Sequence, residues 1–135
     1  MAVEVIIKDN TKDVLEALQH NIANGLNAIG SAAEGHAKDN CPVDTGRLRN
    51  SITYATSDYD GVDEYEDDEG NQFSGGSAHA NPPKNEVHIG SNVEYAAAVE
   101  FRDATHKTGK AHFLRDAITK HNKEYKALME AALKA

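Results

Sequence analysis

TKDVLEALQHNIANGLNAIGSAAEGHAKDN, residues 11–40, is the stretch whose reading decides the fold. Its apolar positions are Leu15, Leu18, Ile22, Leu26, Ile29, Ala33 and Ala37, at steps of 3, 4, 4, 3, 4 and 4. That is the period of an α-helix, and it predicts one long amphipathic helix. Asp9, Asn10 and Thr11 supply short side-chain oxygens that can accept from free amides at its start. Pro42 ends it, because a proline disfavours helical geometry in the residue before it. Gly25, Gly30 and Gly35 each weaken a helix by about 1 kcal/mol relative to alanine. They can instead admit a close neighbour or a bend. The Ala/Gly-rich second half has a thin apolar face, which suits packing against a backbone or another subunit.

Around this helix the chain alternates short elements. Val3–Ile7 is rich in β-branched residues and reads as a strand. Cys41–Ser51 reads as a turn followed by a short helical segment. SITYAT (Ser51–Thr56) and EVHIGS (Glu86–Ser91) alternate as partner strands. Between them, residues 57–85 form a loop of nearly 30 residues, acidic first and rich in Gly, Ser, Asn and Pro afterwards. Neither half has the apolar content to offset ordering entropy, so the expectation is a flexible, elongated hairpin loop. Val93–Arg102 reads as a short helix and Asp103–Lys110 as a polar loop. Ala111–Ala135 reads as a second long helix, its stripe interrupted at His121 and Asn122. The whole, residues 1–135, is expected to be a single α+β domain. In it a small antiparallel sheet packs against a long N-terminal and a long C-terminal helix, with a long acidic hairpin loop.

The charge is local. Asp58, Asp60, Asp63, Glu64, Glu66, Asp67, Asp68 and Glu69 account for the formal net charge of -8. Removing those eight from the 22 acids leaves 14, equal to the 14 Lys and Arg. General nucleic-acid binding, which needs a basic stripe, is therefore not expected. Three readings are open to the acidic stretch. It can be a solvated loop, a tip facing a lumen where it repels phosphates, or a divalent-cation site. The spacing does not fit an EF-hand loop.

The single cysteine, Cys41, allows no intrachain disulfide and suits a reducing compartment. The N-terminus does not read as a signal peptide. No run approaches the roughly 20 apolar residues of a membrane span. His20, His36, His79, His88, His106, His112 and His121 include no zinc-like spacing with cysteines. His36 and Cys41 make one weak pair. A nucleophilic Cys41 competes with the plainer reading of a small residue at a helix end. No phosphate-cradling loop, Gly-x-Ser-x-Gly or paired catalytic carboxylate pattern occurs. The chain thus offers no catalytic, cofactor or metal residues, and is not expected to be an enzyme.

Three segments carry a resemblance. They are Pro42-Val43-Asp44-Thr45-Gly46-Arg47-Leu48-Arg49-Asn50-Ser51-Ile52; Ile89-Gly90-Ser91-Asn92-Val93 running into Tyr95-Ala96-Ala97-Ala98-Val99-Glu100-Phe101; and His112-Phe113-Leu114-Arg115-Asp116-Ala117. In this order they resemble the tail-completion, or head-to-tail joining, family of siphophages and prophages, from about Asp9 to Ala132 outside the acidic loop. Arg102-Asp103 stands where that family commonly has Gly-Thr, and Asp116 where it often has proline. The resemblance implies a structural protein that forms a homo-oligomeric ring, a hexamer, at the head-proximal end of the tail. Its partners would be the tail tube or tail terminator and the head-completion or connector proteins, with DNA passing through unbound. It would be made in the host cytoplasm and reside in the virion at the head–tail junction, with no membrane contact and no cofactor.

Leu48 and Ile52 can point into the core while Arg47 and Arg49 project outward. Planar guanidinium forks suit ion pairs across a subunit interface, and the plain alternative is two solvated arginines. Glu100 is a candidate partner or simply an exposed helical Glu, and Arg102 joins the interface candidates. A rival class is an acidic binding module that mimics nucleic acid and inhibits a basic partner. Such a mimic should spread its carboxylates over a rigid face.

Overall fold

The computed structural model describes residue 4 and residues 9–79, 81–102 and 106–135. The strand expected at Val3–Ile7 lies, Glu4 apart, outside the described residues. Helix α1 spans Thr11–Asn40, the span its periodicity predicts. Asp9 caps the start, its carboxylate accepting from the Thr11 amide at 2.9 Å. After Pro42, a turn through Gly46 at φ +84° leads into α2, Arg47–Ser51. Strands β1 (Thr53–Ala55) and β4 (His88–Gly90) pair antiparallel, with Tyr54 opposite Ile89. These are the two partner strands read from the sequence, in shorter form.

Between them the 57–85 connection is not structureless. It carries β2 (Glu64–Glu66) and β3 (Gln72–Ser74), an antiparallel hairpin with Tyr65 opposite Phe73 and ring centroids 5.7 Å apart. The hairpin loop is expected from the sequence, but its ordered ladder is not, because two aromatic residues suffice to pin so short a ladder against a neighbouring helix. Helix α3 spans Ala96–Phe101. The C-terminal helical stretch is divided in two, α4 (Phe113–Thr119) and α5 (Asn122–Leu133), parted at the Lys120–His121 step where the apolar stripe lapses. The Tyr125 hydroxyl donates to the Ala117 carbonyl across the break.

The core consists of Ala37, Cys41, Leu48, Ile52, Val93, Ala96, Phe113 and Ala117. It therefore sits at the C-terminal end of α1, beneath α2, α3 and α4, and both residues expected to point inward from α2 do so. Helix α1 packs against α4 and α5 and against the β1–β4 ladder. Its glycines explain how. A β-carbon on Gly25 would stand 2.6 Å from the Met129 sulfur of α5, and one on Gly30 would overlap the Tyr54 ring of β1. At about 100° per residue these positions lie on different faces of the helix. Two of the three glycines thus mark close approach, while Gly35 has open space around it. The first turns of α1 differ. Val14, Leu15 and Leu18 are 62%, 54% and 41% exposed, since α5 reaches back only to Asn21, whose amide donates to the Ala135 carbonyl.

Candidate assembly surface

The turn after Pro42 places the two arginines. Its Gly46 lies so close to Asp68 that any β-carbon would overlap the carboxylate. The Asp68 amide donates to the Thr45 carbonyl at 2.8 Å, and the Asp68 carboxylate pairs with Arg49. The Asn50 side-chain amide donates to the Glu66 carbonyl at 2.8 Å. The acidic hairpin is thereby fastened to α2. Its tip is a tight turn around Asp67, whose carboxylate accepts from the Glu69 amide at 3.0 Å and from the Asn71 amide at 2.9 Å. The Asn71 side chain first, and these amides with it, hold the Asp67 carboxyl below its ordinary pKa even against desolvation. Asp67 is accordingly buried, and the other seven acids of the stretch remain exposed.

Arg47 forms a two-pronged ion pair with Glu94, at 3.2 and 2.9 Å. Its guanidinium carbon lies 4.4 Å from the Phe73 ring centroid and 5.6 Å from that of Tyr95. Planar stacking on aromatic faces with a carboxylate fork is a role lysine cannot fill. So both arginines find carboxylates within their own chain, and Arg47 also ties the hairpin to the segment preceding α3. Serines join the same parts: Ser51 and Ser91 hydroxyls meet at 2.5 Å.

Glu100 is not an exposed helical glutamate, being only 6% exposed. Its carboxylate accepts from the Leu114 amide at 2.9 Å and from the Arg115 amide at 3.0 Å. It closes the N-terminus of α4, where backbone amides lack helical partners and the helix dipole favours negative charge. Nothing in the sequence spacing announces a cap supplied from another helix. Asp116, in the same α4, accepts from Lys110 at 3.2 Å and Arg115 at 3.3 Å. Burial alone would raise its pKa, but these two cations outweigh it and hold the carboxyl low. Thus the three segments of the sequence resemblance lock together: the first to the second through Arg47–Glu94 and Ser51–Ser91, the second to the third through Glu100.

Cys41 packs in the core at 2% exposure, and burial pushes its thiol up to about 12. Thiolate chemistry at neutral pH is thereby suppressed. Of the four interface candidates Arg47, Arg49, Glu100 and Arg102, only Arg102 stands exposed without a described ion pair, beside Phe101, which is 76% exposed. An aromatic residue bare on α3 was not singled out from the sequence, where the helical pattern alone offered no sign that α3 would present it outward. The structure also gathers His36, His121 and Glu124, which spacing could not reveal because His36 precedes the other two by more than 80 residues.

A family model described as "Bacteriophage HK97-gp10, putative tail-component" matches residues 6–101. Comparison with curated proteins and with solved structures found no match. No helix among the described residues is long and apolar enough to cross a membrane. The match covers most of the chain and contains two of the three interlocked segments in full; with it, the chain belongs to the HK97-gp10-like family of bacteriophage tail components.

Proposed function

We propose that this tail component assembles with copies of itself as a hexameric ring at the head-proximal end of the tail. There it joins tail to neck and leaves a passage for DNA. One observation carries this reading: a chain that holds Arg47, Arg49, Glu100 and the hairpin by internal contacts still leaves several apolar side chains exposed. Val14, Leu15 and Leu18 stand on the free end of α1, and Phe101 beside Arg102 at the end of α3. Aromatic and arginine residues concentrate at the anchors of protein interfaces, and exposed apolar side chains that adjoin one another, as Val14, Leu15 and Leu18 do on two turns of α1, suit a contact site.

In this reading Arg102 and Phe101 meet the adjoining copy. Arg47, Arg49 and Glu100 shape the surface from within, by holding the hairpin and α4 in place. The hairpin then presents Asp58, Asp60, Asp63, Glu64, Glu66 and Glu69 on an ordered support. Like charge keeps phosphates from adhering, which suits a surface past which DNA slides. An ordered hairpin also removes one objection to a nucleic-acid mimic. Membership of a tail-component family favours the structural reading over that inhibitor.

The test is mass photometry of the purified chain, alone and mixed with the tail-tube and head-completion proteins of its phage, with peptide mass spectrometry of purified virions. Rings and a virion-borne chain are expected, and Phe101→Ser with Arg102→Ser should reduce ring formation while leaving the fold intact. A chain that is absent from virions, or that stays monomeric with every neighbour present, overturns the reading.

A further inference from the structure

Helix α1 and the start of α5 bring together three side chains that take no part in the assembly surface. His36 Nε2 lies 2.7 Å from Glu124 Oε2, and His121 Nδ1 lies 3.8 Å from the same oxygen. One ligand atom from each residue falls within 4.8 Å of the others. The two imidazoles stack with centroids 3.5 Å apart and planes 5° from parallel. All three side chains are part-exposed, at 27%, 33% and 43%.

The geometry points to a binding site for a divalent transition-metal ion of the zinc type, held by His36, His121 and Glu124 with solvent in the fourth position. Two imidazoles and one carboxylate form a donor set that such ions accept. The separations of 2.7 and 3.8 Å from Glu124 bracket the edge of about 3.4 Å of a coordination tetrahedron whose bonds are about 2.0–2.2 Å. A metal would displace the hydrogen bond that now joins His36 to Glu124. Coordination requires the lone pair of each ring to point at the ion, and two stacked parallel rings cannot both do so. Binding therefore turns at least one imidazole out of the stack. Part-exposure gives His121, at the α4–α5 break, room to turn. Lys120 and Lys123 on the same turn oppose a cation, but both are exposed, where solvent and salt screen them.

The consequence is a clasp. His36 belongs to the buried half of α1, and the other two ligands belong to the first turn of α5 and the residue before it. An ion there would fasten the C-terminal helix to α1 independently of its packing. The site is separate from the residues assigned to ring contact, so its failure leaves the proposed function untouched.

Zinc chloride titrated into the full chain by calorimetry and thermal melting tests it. One ion per chain is expected, with a rise in melting temperature of about 10 °C at a zinc concentration about a hundred times the dissociation constant. His36→Ala with His121→Ala should abolish both signals. Glu124→Gln, which keeps a hydrogen-bonding partner for His36 and a folded chain, should weaken binding at least about tenfold, since losing a ligand costs no less than losing an outer partner of one. His20→Ala and His88→Ala should change nothing. The absence of heat with the wild-type chain, or zinc binding that survives in the double histidine variant and in Glu124→Gln, overturns the proposal.

Discussion

The two halves of α1 are built from opposite materials and meet opposite fates. The first half carries Val14, Leu15 and Leu18, bulky apolar side chains, and leaves them largely in water. From Gly25 onward the helix is richer in glycine and alanine, and it is the part that is buried: Gly25, Gly30, Ala33 and Ala37 are all covered. Burial here tracks the position of partners and not the hydrophobicity of the stripe. Small residues let α5 and the β1 strand approach the helix backbone, so their own Met129 and Tyr54 side chains fill the space. The leucines of the first half lie beyond the reach of α5 and remain exposed.

Four experiments would break or sharpen this contrast. The largest effect is expected from Phe113→Ala, which empties the fully buried centre beside the second half of α1. Loss of about 3–5 kcal/mol in urea unfolding is expected, and a loss below about 1 kcal/mol would show that the second half is not the seat of stability. Gly30→Val drives a branched side chain into the Tyr54 ring and should cost about 1–3 kcal/mol. A neutral result would mean that β1 does not press on the helix as closely as the structure has it.

Acid gives a smaller effect on the same half. The Asp116 carboxyl titrates below its ordinary value of 3.8 when folded, because Lys110 and Arg115 outweigh its desolvation. The unfolded chain thus takes up the proton first as pH falls. The stabilisation is fully present above pH 3.8 and disappears as pH drops through the lower folded value. Melting temperatures measured from pH 5 down to pH 2 should fall more steeply in the wild type than in Asp116→Asn; parallel curves would mean that Asp116 contributes nothing to acid sensitivity. The smallest effect on stability belongs to Leu15→Ser with Leu18→Ser, within about 0.5 kcal/mol for each exposed site. In mass photometry the same pair should shift the distribution towards monomer. A chain that unfolds readily on this change would mean the first half is packed after all.

The hairpin and the C-terminal helices show why parts of the design were hidden in the sequence. A composition poor in apolar residues marked 57–85 as loop, yet Tyr65 and Phe73 pair across it and Arg47 lies over Phe73. The decisive contacts come from α2, distant in sequence, and no local pattern carries them. Glu100 illustrates the same point, since a glutamate on a short helix gives no sign that it will cap α4. Arg47 and Arg49 were legible as outward-facing guanidinium groups, but their nearest carboxylates, Glu94 and Asp68, are set by how the chain folds back on itself.

The sequence by itself determined the span of α1, because helical period and a terminal proline are local properties of the chain. For the same reason it determined the inward Leu48 and Ile52, the β1 and β4 strands, and the confinement of net charge to one segment. Tertiary structure alone decided which half of α1 is covered, which carboxylates the arginines meet, and that His36, His121 and Glu124 share one place. Those outcomes depend on contacts between residues far apart along the chain, and such contacts exist only once the elements have packed.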